Sequence, residues 1–299
     1  MPSWQSYVIK FGLRIVQSQG YKANSIQKHR AGIEARVARV PRNRRVCYEM
    51  CKVDGLHAEW VTAPGASEER VILYLHGGAY VMGSINTHRS LAVDLSRVTR
   101  ARVLLVDYRL APEHPFPAAL DDVLCTYRWL LAQGVDPQKL VVGGDSAGGG
   151  LTVALLVAAR DAGEPLPVAA VCLSPFVDLA LTGASMKTKA GADVMIRSDL
   201  IPLVIEAYLG ATDPNTPLAS PLYADLHGLP PLFIQVGTDE VLLDDATRLA
   251  DQARAASVEV TLEIWDGMFH SWQAWGFLLP EAQRSVRHIG KFITSHYAG

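Results

Sequence analysis

Short apolar runs and helix-period patterns alternate along most of this chain. Residues 3–20 put Trp4, Tyr7, Val8, Phe11 and Ile15 on one face of a helix, an apolar stripe expected to cover part of the body. Two strands follow, Val46–Val53 and Leu56–Val61, and Asp54-Gly55 between them marks a hairpin turn. Further β-rich runs lie at Val71–Leu75, Ala101–Tyr108, Leu140–Val142, Val168–Leu173, Leu232–Val236 and Val258–Trp265. Helix-period segments separate them near residues 87–98, 117–133, 146–161, 243–256 and 280–296. Strands that alternate with helices predict an α/β fold, with a mostly parallel sheet covered on both faces.

Residues 181–210 break this rhythm. They hold a helical segment around Leu200–Leu209 but no strand. An insertion there belongs near the carboxyl ends of the strands, where open α/β sheets bind ligands. With the N-terminal helices it would form a cap. The expected organisation is therefore residues 1–45 as one part of the cap, 181–210 as the other, and 46–180 with 211–299 as the catalytic body.

Composition narrows the function classes. A hydrophobic fraction of 49% over 299 residues supports a large core. A net charge of −2 gives no global attraction to nucleic acid. The basic run Lys28, Arg30, Arg36, Arg39, Arg42, Arg44 and Arg45 is interleaved with apolar residues and reads as a solvated face. The four cysteines, Cys47, Cys51, Cys125 and Cys172, form no paired metal-binding spacing and are expected as free thiols. No secretory leader and no bilayer-length apolar run is legible, so the expected location is cytoplasmic, without membrane insertion. H-E-x-x-H, P-loop and G-x-G-x-x-G patterns are absent, and no cofactor or metal is expected.

The chemistry centres on Gly144-Asp145-Ser146-Ala147-Gly148, directly after a strand and before a small-residue helix. This is the G-x-S-x-G elbow, which lifts a serine hydroxyl clear of a sheet edge. A serine hydroxyl is a weak nucleophile until a base activates it. Upstream, His76-Gly77-Gly78-Ala79-Tyr80 leaves the strand Val71–Leu75. The Gly77 and Gly78 amides, with that of Ala147, are expected to form an oxyanion hole, and Tyr80 to contact substrate. Of nine histidines, His270 lies after the last strand and before the last helix, where the base belongs. His76, His88 and His114 read as loop braces. The acid should leave Leu232–Val236. Asp244 and Asp245 suit the first turn of the following helix. Asp239 and Glu240 remain, and spacing does not separate them. Tyr108, Arg109, Glu113 and Asp145 read as loop-bracing polar residues.

These pieces, with Asp107-Tyr108-Arg109-Leu110-Ala111-Pro112-Glu113 and Ser174-Pro175, resemble the hormone-sensitive-lipase family of α/β-hydrolases, the bacterial family IV carboxylesterases, from about residue 70 to 272. The resemblance implies an eight-stranded, mostly parallel sheet with a helical cap. It also implies cofactor-free hydrolysis of short acyl esters through an acyl-enzyme, and a homodimer through the last strand as a family-level expectation. The family's D-P-L-x-D motif, aligned on Leu242 and Asp244, puts its acid at Glu240 rather than Asp239. Its third oxyanion glycine is Ala79 here, whose methyl narrows the acyl approach. A lactone, acetyl-ester or amide hydrolase with the same Ser146, Glu240 and His270 is the near rival. A binding protein that kept the fold without catalysis is the rival of another class.

Overall fold

The computed structural model describes residues 1–18 and 26–297. Positions 19–20 of the expected first helix lie outside the described residues. Two helices, α1 (Trp4–Ser18) and α2 (Ile26–Val37), precede the hairpin β1 (Cys47–Val53) and β2 (Leu56–Thr62). Then follow β3 (Ser67–Leu75), α3 (Ile85–Thr99), β4 (Ala101–Val106), α4 (Ala118–Ala132), β5 (Leu140–Asp145), α5 (Ala147–Asp161) and β6 (Ala169–Leu173). The inserted segment carries α6 (Ser185–Thr188) and α7 (Ile201–Leu209). β7 (Leu232–Gly237), α8 (Leu243–Ala255), β8 (Val260–Trp265) and α9 (Pro280–His296) complete the chain.

Among the described residues, eight strands form one sheet in the order β1-β2-β4-β3-β5-β6-β7-β8. β1, β2 and β4 pair antiparallel, and every pairing from β4 through β8 is parallel. The central strands are apolar without alternation because helices cover both of their faces: all six residues of β5 and all five of β6 are buried. On one face, Tyr127 of α4, Leu151 and Leu155 of α5 and Leu249 of α8 pack in one core. On the other, Leu91 and Leu95 of α3 and Ile289 and Phe292 of α9 pack in a second. β3 begins at Ser67, earlier than the apolar run at Val71 suggests. Its first residues are polar and partly exposed, and the register shifts between Ser67 and Val71.

α1 departs from expectation. Trp4, Tyr7, Val8 and Phe11 are exposed rather than packed. The opposite face docks: Ser6 and Lys10 are buried, and Ile9 and Leu13 pack against the cluster holding Met268, Phe269 and Trp272. Polar anchors select that face. The Lys10 ammonium donates to Asp239 Oδ2 (3.0 Å) and to the Gly267 carbonyl (3.1 Å), and the Ser3 amide donates to Glu281 Oε1 (2.6 Å). Periodicity locates a stripe but does not say which face meets the body when both carry apolar residues.

α2 has no fully buried residue. It is tied down by polar contacts instead, from Arg30 to the Val81 and Ala111 carbonyls and to Glu113, and from Glu34 to Ser84 and Asn86. The parallel arrangement brings the carboxyl ends of β3, β5, β7 and β8 to one edge, and the loops after these strands build the site.

Candidate active site

Ser146 sits between β5 and α5 with φ 54° and ψ −121°. A non-glycine residue there stores strain that its surroundings must hold. Its amide donates to the Leu173 carbonyl (2.8 Å), and its own carbonyl accepts from Phe176 (2.9 Å) and Gly150 (3.0 Å). Strand and helix nearly touch at the turn: a Cβ on Gly148 would run into the Leu75 carbonyl. This steric demand is why the pentapeptide needs small residues on either side of its serine. Ala147 opens α5, so its amide has no intrahelical acceptor and carries the positive end of the helix dipole.

The loop after β3 turns through left-handed backbone at Gly78 (φ 129°), Ala79 (53°) and Tyr80 (61°). The Gly77 amide, expected in the oxyanion hole, donates instead to Asp145 Oδ1 at 3.1 Å and to His88 Nε2 at 3.2 Å. The Gly78 and Ala79 amides donate to no other group among the described residues. Tyr80, expected at the substrate, is 2% exposed and stacks on Tyr208 of α7, with centroids 3.8 Å apart and planes at 5°. The stack joins this loop to the inserted segment.

His270 lies in the loop after β8. Its Nδ1 is 2.9 Å from Glu240 Oε2, and both side chains are buried. The other carboxylate oxygen of Glu240 accepts from the Gly237 amide (2.6 Å) and the Ser174 hydroxyl (2.8 Å). Asp239, one residue earlier, faces away and pairs with Lys10. Burial pulls the His270 pKa down, but the Glu240 hydrogen bond and charge outweigh it, with Asp193 and Asp145 behind, and raise it above the ordinary value. Burial pushes the Glu240 carboxyl up, while the bond to His270 pulls the other way.

Several contributors carry no sequence signal. Asp193, from the inserted segment, accepts from the Val241 amide (3.0 Å) next to Glu240, and from Met195 and Ile196 (both 2.9 Å). Ser174 was legible only as part of a Ser-Pro motif. Ser271 donates to Asp145 Oδ2 (3.2 Å). His76 is buried and stacked on Tyr108 at 4.1 Å, and burial drives its pKa down to about 3, so it stays neutral as a loop brace. His227, His288 and His296 partner Asp225, Glu263 and the Phe292 carbonyl respectively. Asp245 caps the backbone amides of Val177 and Asp178 (both 3.0 Å), and Asp244 accepts from Ser185 (2.9 Å), tying the inserted segment to α8.

A family model described as the alpha/beta hydrolase fold matches residues 72–274. An acetyl-hydrolase of Streptomyces hygroscopicus is 49% identical over 236 residues, which are 79% of this chain and 79% of that one. An esterase of Acinetobacter venetianus is 38% identical over 258 residues, 85% of this chain and 84% of its own. Among solved structures, an esterase of the bacterial hormone-sensitive lipase family superposes with a TM-score of 0.95 at 45% identity, covering 100% of both chains. A hormone-sensitive lipase from a metagenome library superposes with a TM-score of 0.94 at 39% identity, covering 98% of both. Fold, elbow and sequence likeness converge: the chain belongs to the alpha/beta-hydrolase fold family, among the bacterial hormone-sensitive-lipase esterases.

Proposed function

We propose that this protein is a serine carboxylesterase in which Ser146 is the nucleophile, His270 the general base and Glu240 the residue that orients it. The observation that carries the reading is the buried 2.9 Å pair of Glu240 and His270, on the same sheet edge as a serine at φ 54°. Ser146 Oγ adds to the ester carbonyl carbon as its proton passes to His270 Nε2. The imidazolium is stabilised by Glu240, which also fixes Nδ1 as the protonated nitrogen. The amides of Gly78, Ala79 and Ala147 receive the oxyanion; one such donor is worth about 10²–10³ in turnover. Collapse breaks the carbon–oxygen bond to the alcohol, which leaves with the His270 proton. Water then adds to the acyl-enzyme, giving its proton to His270, and the second collapse releases the acid and restores Ser146.

Short acyl groups suit this site. The Ala79 methyl sits where the motif otherwise has glycine, and the acetyl-hydrolase relative is consistent with an acetyl or similarly small acyl group. We assign α1, α2 and residues 181–210 to a cap over the site; their ties to the Glu240 and oxyanion loops support this. No helix among the described residues is long and apolar enough to cross a membrane. A cytoplasmic location fits the free cysteines. A homodimer through the open edge of β8 fits its end position in the sheet, where Ile264 is exposed.

The test is covalent labelling. A fluorophosphonate should label Ser146 and abolish hydrolysis of p-nitrophenyl acetate, and Ser146→Ala should lose both. Full hydrolysis by Ser146→Ala, or label on another residue, sinks the assignment.

A further inference from the structure

Beside the Glu240–His270 pair lies a second imidazole–carboxylate pair, its carboxylate buried and its imidazole partly buried, that the reaction above leaves unused. Asp145 precedes the nucleophile, and its side chain is 6% exposed. Its Oδ1 accepts from the Tyr74 hydroxyl (2.9 Å) and the Gly77 amide (3.1 Å), and lies 3.1 Å from His88 Nε2. Its Oδ2 accepts from the Ser271 hydroxyl at 3.2 Å. One carboxylate thus touches β3, the oxyanion loop, α3 and the loop that carries His270.

Both ring nitrogens of His88 are engaged. Thr87 Oγ1 gives its hydrogen to the Ser84 carbonyl (2.8 Å), so it can only accept from His88 Nδ1 at 2.7 Å. Nε2 faces the Asp145 carboxylate at 3.1 Å, and the Gly77 amide also points at it, donating at 3.2 Å. Burial pulls the His88 pKa down, but the Asp145 charge and hydrogen bond outweigh it and raise it above the ordinary value. The neighbouring titratable rings, His76 at 5.6 Å and Tyr74 at 6.3 Å between centroids, add no negative charge that competes with Asp145. A polar network tied by this many hydrogen bonds is rigid, because each member is held by more than one partner. Gly77 must lack a side chain for the same reason: a Cβ there would run into the Asp145 carboxylate.

We propose that His88 and Asp145 form a positioning pair that holds the oxyanion loop, through Gly77, and the His270 loop, through Ser271, in register with Ser146. The proposal rests on the assignment of Ser146 as nucleophile. Gly77 is not an oxyanion donor in this arrangement; its amide is the tether that aims the next two. Misplacement of a reacting group by about 1 Å can cost ~10²-fold, so the pair should act on turnover rather than on substrate affinity.

The experiment compares wild type with Asp145→Asn, His88→Gln, the double variant and Ser271→Ala, using p-nitrophenyl acetate kinetics, fluorophosphonate labelling rates and thermal unfolding. Label on wild-type Ser146 is read first, so a failure of the esterase reading is seen separately. Each single variant at Asp145 or His88 should lower kcat and the labelling rate by about tenfold or more with KM within about twofold, and the double variant should be no slower than the slower single. Ser271→Ala, which removes one half-buried hydroxyl, should fold normally and lower kcat severalfold. The proposal is overturned if folded variants keep wild-type kcat, or if the losses multiply. It is also overturned if KM rises while kcat holds. If the buried variants do not fold, an unchanged kcat in Ser271→Ala overturns it.

Discussion

Asp239 and Glu240 are adjacent carboxylates with different company. Glu240 is buried, with one oxygen fixed by Gly237 and Ser174 and the other on His270. Asp239 is 25% exposed and holds Lys10 of α1. Glu240→Gln should keep a hydrogen bond partner near His270 but lose the charge that stabilises imidazolium. The expected loss in kcat is about 10²–10⁴-fold, by analogy with triad acids elsewhere. Asp239→Asn should stay within about threefold in kcat, because Asp239 lies away from His270 and an asparagine oxygen can still accept from the buried Lys10 ammonium. The pH profile adds a sign. A general base works unprotonated, and Glu240 raises the His270 pKa, so wild-type activity should fall with acid through a midpoint above 6.5. Without the carboxylate that midpoint moves to lower pH. Equal losses in the two variants, or a midpoint that moves up in Glu240→Gln, would sink the assignment. The sequence narrowed the acid to two neighbours, and side-chain direction after a strand end is what it could not carry. Glu240 is aimed by the hydroxyl of Ser174, which is 66 positions away.

At the scale of elements, legibility follows burial. β5 and β6 are covered on both faces and read as plain apolar runs. The elbow read clearly because its glycines answer a steric demand that any such turn imposes. Helix orientation did not read. α2 is held by charge rather than by an apolar face, with Arg30 at its centre. The Arg30 hydrogen bond holds the Glu113 carboxyl down at about 2, on a largely solvated pair that salt should screen. In Arg30→Ala, amide hydrogens of α2 should exchange faster by about tenfold or more, while those of α5 stay protected. Salt near 0.5 M should loosen α2 in wild type in the same direction and add little in the variant. Unchanged exchange of α2 in Arg30→Ala would remove the polar clamp as its main restraint.

For the whole molecule, α1 ties the N-terminal region to the loops that carry Glu240 and His270. Its docked face meets Met268, Phe269 and Trp272, which are fully buried and lie within two positions of His270, while Lys10 holds Asp239 beside Glu240. Its exposed face, with Trp4, Tyr7, Val8 and Phe11, is the one that periodicity alone would have put inside. The two faces therefore predict opposite outcomes. Removing residues 1–18 exposes the aromatic cluster, and burying each such side chain is worth roughly 1.5–3 kcal/mol. At about 2–4 °C per kcal/mol for a chain of this order of size, Tm should drop by roughly 5 °C or more. The labelling rate at Ser146 should fall with it, because His270 shares the loop that is uncovered. Trp4→Ser combined with Phe11→Ser touches only the outward face and should leave Tm within about 1–2 °C, as surface substitutions do. Paired thermal melts and labelling rates check both arms. If the double substitution costs as much as the truncation, the outward face is packed in solution and the docking of α1 described above is wrong. If truncation leaves both Tm and labelling unchanged, α1 is an appendage and the Lys10–Asp239 tie has no bearing on the site.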